Sequence, residues 1–86
     1  MADRIYLSVS TPDGGSFENN VSYVNIPTDF GSLGILRGHA PMVCQVEKGR
    51  LRFRTENGDE GSVIVGRGIA TVGDNEVQLL VNELQY

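Results

Sequence analysis

The sequence predicts an all-β domain, and three observations predict it. Apolar and polar residues alternate in several short runs, turn residues punctuate those runs at close intervals, and no helix-length window repeats its apolar positions at helical spacing. Eleven glycines in 86 residues, against only three prolines, fit a chain of many turns and not a disordered linker. A chain of this length makes one domain, burying roughly 60% of the surface its unfolded form exposes. Short strands closely spaced by turns mean a sandwich or a barrel.

Each strand has its own reason. Ile5-Tyr6-Leu7-Ser8-Val9-Ser10 alternates with Ile5, Leu7 and Val9 on one face, and Thr11-Pro12-Asp13-Gly14-Gly15 ends it. Val21 to Ile26 is a strand of mixed phase, so that either both its faces are covered or a bulge shifts its register. Pro27 to Pro41 reads as a long functional loop, unless short strands divide it. Met42, Cys44 and Val46 share one face of the next strand, and Glu47-Lys48-Gly49 turns the chain. Arg50-Leu51-Arg52-Phe53-Arg54 puts arginines out and apolar residues in. Asn57-Gly58 has the composition of a two-residue type I′ hairpin loop, which sets Thr55 opposite Glu60 and Arg54 opposite Gly61. Ser62 to Val65 reads as a central strand. Gly66-Arg67-Gly68 interrupts it, Ile69 to Val72 resumes, and Gly73-Asp74-Asn75 turns into Val77, Leu79 and Val81, with Leu80 facing the other way.

Seven basic against eleven acidic residues give a net charge of −4, which provides no general attraction to nucleic acid or anionic lipid. Cys44 is the sole cysteine, so an internal disulfide is excluded and a reducing compartment is the natural setting. One histidine and one cysteine exclude the familiar structural zinc sets. The start, Met1-Ala2-Asp3-Arg4, has no secretory character and no run reaches membrane-spanning length; a soluble, cytoplasmic domain is expected.

Few motifs suggest chemistry. Gly66-x-Gly68 lacks both the third glycine, since position 71 is Thr71, and the helix that would face a pyrophosphate; a tight bend between strands is the better reading. Gly31 to Gly38 lacks the ending of a phosphate loop. His39 and Cys44 have no third residue to orient the histidine and no oxyanion donor. No catalytic, cofactor-binding or metal-ligating residue is assigned, and no cofactor is expected. Arg50, Arg52 and Arg54, with Lys48, form a basic stripe that is either a solvated face or a contact for an acidic partner. Nucleic acid is the weaker alternative, because Phe53 faces away from the arginines. Lys48 at its turn also admits a biotinyl- or lipoyl-type carrier, although neither flank is methionine.

Gly31-Ser32-Leu33-Gly34-Ile35-Leu36-Arg37-Gly38-His39-Ala40-Pro41-Met42 resembles the Gly-Glu-Leu-Gly-Ile-(Leu/Tyr)-Pro-Gly-His-Ala-Pro-Leu segment of the epsilon subunit (delta in mitochondria) of F-type ATP synthases. Leu7, Val9, Phe17, Gly49, Val65-Gly66-Arg67-Gly68 and Val77 to Val81 agree with that family in order and spacing, so the resemblance covers nearly the whole chain. It implies a flattened β-sandwich of about ten short strands and a non-catalytic rotor part, at the cytoplasmic face of an energy-transducing membrane. Its partners would be the gamma subunit and the membrane ring of c subunits. By resemblance, Gly31, Ser32, Leu33, Gly34, Arg37 and Gly38 face the c-ring, and Ser10, His39 and Cys44 face gamma. Ser32 stands in place of the family's usual glutamate and Arg37 in place of its proline, which changes the charge of the ring contact. Family members commonly continue into two regulatory helices; this sequence ends at Glu83-Leu84-Gln85-Tyr86 without that helical hairpin.

Overall fold

The computed structural model describes residues 4–86, and Met1, Ala2 and Asp3, the segment without secretory character, lie outside them. Nine strands follow in chain order: β1 (Ile5–Ser10), β2 (Ser16–Thr28), β3 (Gly31–Leu36), β4 (Met42–Val46), β5 (Gly49–Thr55), β6 (Glu60–Val65), β7 (Gly68–Gly73), β8 (Glu76–Val81) and β9 (Leu84–Gln85). The expected all-β sandwich is present, with no helix among the described residues. One layer runs β1-β8-β7-β4, the other β3-β2-β5-β6-β9. Nine strands among the described residues agree with the expected number of about ten, and β2 serves both layers. Its first half pairs with β1, and its second half pairs with β3 on one side and β5 on the other.

The mixed phase of β2 is a bulge. Val21 pairs with Thr55 but Tyr23 pairs with Arg54, so Ser22 is the extra residue. The slip moves the inward positions from Val21 to Val24 and Ile26, and all three are fully buried. The Ser22 hydroxyl lies 3.3 and 3.4 Å from the Arg54 and Thr55 carbonyls, within donating distance of either. The inward faces of both layers meet in one core, dominated by Val, Ile and Leu, with no buried polar or charged side chain among the described residues.

The structure decides one open reading and changes two expectations. Pro27 to Pro41 is divided: residues 31–36 form β3, which returns along β2 after a two-residue loop at Asp29-Phe30. The Asn57-Gly58 turn is not type I′. Gly58 has φ +91° but Asn57 is not in the left-handed region, and Thr55 N donates to Asp59 O. The loop is thus one residue longer, and Arg54 faces Glu60 while Phe53 faces Gly61. The turn with positive φ at both central residues is Asp74-Asn75, between Gly73 and Glu76. Finally, β6 is not central: β9 covers only Ile64 and Val65, and Ile64 is only partly buried, on the outer face.

Gly66-Arg67-Gly68 is a bend packed against the β8–β9 link. Gly66 N donates to Glu83 O and Asn82 N to Arg67 O, each at 2.9 Å. A Cβ on Gly68 would strike the Leu80 carbonyl oxygen and come within 2.7 Å of Val81 Cα, both main-chain atoms that cannot step aside. A Cβ on Gly73 would meet only Pro41, at 3.8 Å. Gly68→Ala should therefore cost about 3 kcal/mol or more through overpacking, a fall of roughly 10–20 °C in melting temperature for a domain of this size. Gly73→Ala should stay within about 0.5 kcal/mol of the parent. Thermal unfolding followed by circular dichroism compares the two; equal melting temperatures would show that the bend is loose.

Candidate functional site

The sandwich presents two outer faces of opposite character. On β1-β8-β7-β4 the registers align two rows of outward positions. Ser10, Leu80, Ile69 and Gln45 form one, and Ser8, Gln78, Thr71 and Val43 the next. None of these eight side chains ionises near neutral pH, although 21% of the chain is charged. Leu80 and Val43 are about two-thirds exposed, at 66% and 67%, and Ile69 is 45% exposed. An apolar cluster set in neutral polar groups can be covered without stripping water from a charge, the composition found in the core of protein interfaces. Acidic residues stand at its border. Tyr6, outward on β1, has its phenol pushed up by a hydrogen bond to Glu18 and by the Glu18 and Glu76 charges.

The three residues expected to face gamma do not come together. Ser10 lies on the neutral face. Cys44 points to the other side of its strand, packed against the core beside Met42. Burial, helped by the Asp29 carboxylate, pushes its thiol up. His39 sits at the end of the sandwich, where its amide donates to Leu36 O and its Nδ1 lies 2.7 Å from Ala40 O. The neighbours of Cys44 in sequence, Val43 and Gln45, are the ones on the neutral face. Val43, Ile69 and Leu80 were legible only as apolar residues out of phase with their strands, and only Leu80 carried that signal plainly.

The six residues expected to face the c-ring are spread along β3. Gly31 and Ser32 lie at the hairpin tip, with Gly31 at φ +111° and Thr28 Oγ1 donating to its carbonyl at 2.6 Å. Leu33 is half-buried against the core. Gly34 pairs with Asn25, and a Cβ there would come within 2.9 Å of the Tyr23 hydroxyl. Arg37 and Gly38 form the turn after the other end of β3, roughly 20 Å away at the rise of a strand. Gly38 has φ +84°, and its amide donates to Asn75 Oδ1 at 2.8 Å, tying this turn to the β7–β8 hairpin. Phe30 at the tip was not singled out by sequence, yet it is 96% exposed.

Lys48 does not occupy a hairpin tip. It links β4 to β5, which pair with other strands and not with each other, and its Nζ lies 4.0 Å from Glu83 Oε1. Lys48 is exposed, but it stands on a link between strands of different pairings and not at the tight turn the carrier reading expects. Arg50, Arg52 and Arg54 line the outer face of the second layer, and Phe53 is inside it.

Thiol chemistry separates the two faces of β4. With its thiol raised, Cys44 holds less thiolate at pH 8 than a free thiol, so iodoacetamide should alkylate it at least about fivefold more slowly than glutathione. Its rate should rise as pH climbs past the ordinary thiol range. A Val43→Cys variant in a Cys44→Ser background should react at close to the glutathione rate. Equal rates for the two sites would put the Cys44 sulfur on the outer face.

Comparison with known proteins agrees with this architecture. The family described as ATP synthase, Delta/Epsilon chain, beta-sandwich domain matches residues 4–85. The ATP synthase epsilon chain of Prochlorococcus marinus is 40% identical over 76 residues, covering 88% of this chain and 56% of that protein. The chloroplastic epsilon chain of Stigeoclonium helveticum is 35% identical over 81 residues, covering 94% and 59%. This chain thus spans somewhat under two thirds of the length of the curated relatives it matches. Among solved structures, a chain in the Euglena gracilis mitochondrial ATP synthase (OSCP/F1/c-ring) superposes with a TM-score of 0.86 at 26% identity, covering 98% of this chain and 54% of that one. A chain in the Tetrahymena thermophila central stalk and c-ring assembly shares the fold at a TM-score of 0.76 and 20% identity. With nearly every described residue matched and the two-layer topology reproduced, the chain belongs to the ATP synthase delta/epsilon family, as its β-sandwich domain.

Proposed function

We propose that this chain is the sandwich part of a non-catalytic rotor subunit of a proton-translocating ATP synthase, working at the cytoplasmic face of an energy-transducing membrane. It joins the gamma subunit to the c-ring and carries rotation between them by contact. The observation that carries this reading is the neutral outer face of β1-β8-β7-β4, with Leu80, Ile69 and Val43 exposed in a highly charged chain. A family whose members are named as ATP synthase epsilon chains supplies the context.

Gamma is assigned to the neutral face. Ser10 belongs to that face; His39 lies beyond it, and Cys44 contributes from behind by shaping the strand that bears Val43. The c-ring is assigned to the tip of the β2–β3 hairpin, where Phe30 projects beside Gly31 and Ser32. In this assignment Leu33 and Gly34 support the hairpin from within. Arg37 and Gly38 brace its far end through Asn75 and reach the ring only if the ring's loops extend along β3. Where the family's glutamate would offer a carboxylate, Ser32 offers a neutral hydroxyl. The ring contact at the tip then rests more on the apolar Phe30 ring than on a charge.

The test mixes the chain with a complex of gamma and c-ring that lacks its own epsilon subunit and measures affinity and co-elution. Saturable co-elution is expected. Leu80→Asp buries a charge at the centre of the face, and should weaken binding by about 30-fold or more, the loss of a hot-spot residue. Phe30→Ala should leave binding to gamma alone intact while weakening binding to the gamma–c-ring complex. Absence of co-elution, or unchanged affinity for Leu80→Asp with its folded circular-dichroism spectrum retained, overturns the assignment.

A further inference from the structure

We propose that the arginine-lined outer face of the β3-β2-β5-β6 layer docks an acidic segment of a protein partner, one whose carboxylates recur about every 6–7 Å. Arg50, Arg52 and Arg54 alternate along β5 and are all exposed. The rise of a strand puts successive arginines about 6.6 Å apart and the three across about 13 Å. Carboxylates at alternate residues of an extended segment, or four apart on a helix, recur at nearly the same interval.

The stripe is not neutralised from within the sheet. Its cross-strand neighbours are Tyr23 and Asn25 on β2, and Ile64, Ser62 and Glu60 on β6. Only Glu60 carries charge, and it lies 3.4 Å from Arg54 Nη2. Arg50 donates from Nη1 to the neutral Ser62 hydroxyl at 3.3 Å. Arg50 and Arg52 have no carboxylate within ion-pair distance among the described residues. Lys48, which the sequence adds to the stripe, turns instead toward Glu83.

The face is also shaped. Together with Tyr23, Asn25 and Ser32, the arginines line an open concavity of about 860 Å³. That is room for several residues of a peptide. All three cations are arginine, whose planar fork grips a carboxylate through two parallel hydrogen bonds where lysine offers a point charge.

A protein partner fits better than nucleic acid. Tyr23 is the aromatic residue of this outer face, and its ring lies close over Gly34, while Phe53 is buried. A single half-buried tyrosine gives one stacking contact, where single-strand binders stack successive bases on several rings. The net charge of −4 repels a long polyanion, and Glu60 interrupts the positive row, whereas discrete carboxylates can seat on Arg50 and Arg52 and skip it. This face belongs to the layer opposite the neutral one, so the inference stands whether or not the rotor reading does.

Fluorescence anisotropy with the 86-residue chain tests it, using a labelled peptide of alternating Asp and Ser, its Asn-Ser counterpart, and an oligothymidylate of about twelve nucleotides. Saturable binding of the Asp-Ser peptide, weakened by added salt and absent for Asn-Ser, is expected. Arg52→Gln should weaken it about tenfold, Arg50→Gln with Arg52→Gln should abolish it, and Arg67→Gln, which removes a cation elsewhere, should leave it unchanged. No saturable binding, equal loss in Arg67→Gln, or tighter binding of the oligothymidylate overturns the proposal.

Discussion

The single extra residue at Ser22 is the constraint on which the rest of the sandwich depends. A strand has two faces, and one residue of slip exchanges them. Val21 must point into the core where β2 runs beside β1, while Val24 and Ile26 must point into it where β2 runs between β3 and β5. No unbroken strand can do both, because Val21 and Val24 have opposite parity. The bulge reconciles them, and Ser22 sits against the β5 carbonyls at that point. Remove the slip, and either Val21 or the Val24–Ile26 pair turns to solvent while polar neighbours turn inward.

Because β2 is shared, the two layers cannot move independently, and their outer faces are held in one fixed relation. That matters for a domain whose proposed work is contact. One face is neutral and apolar and suits a large, dry interface; the other is basic and suits a smaller, charge-directed one. Main-chain closeness supports this rigidity at the opposite corner, where Gly68 lies directly against Leu80 and Val81. A torque applied at the neutral face or at the β2–β3 hairpin passes through strand pairing and not through flexible links.

The inward residues of β1, β4, β5 and β8 could be read from alternation alone, because burial on one side of a strand imposes a period of two on the chain. The division of Pro27 to Pro41 could not. Gly31, Gly34 and Gly38 look like loop residues in sequence, yet Gly34 lies within β3, where its lack of a side chain admits the Tyr23 ring. Asn57-Gly58 misled for a related reason: its composition suits two turn types, and the pairing of Arg54 with Glu60 chose between them. The resemblance that puts Cys44 near gamma marks a position along the chain and does not say which side of β4 the thiol occupies; the fold packs it against the core.

The sequence by itself determined the class of fold, the inward set of most strands, the arginine stripe and the family, since each is written in local spacing or in an ordered motif. Tertiary structure alone decided which outward residues become neighbours. Leu80, Ile69 and Val43 belong to three strands and meet only because β8, β7 and β4 pair in that order. Equally, the unneutralised charge of Arg50 and Arg52 exists only because β2 and β6 set neutral residues beside them. Periodicity is a property of one strand, whereas a surface is a property of its pairing, and hydrogen bonds between distant segments carry no signature in either segment alone.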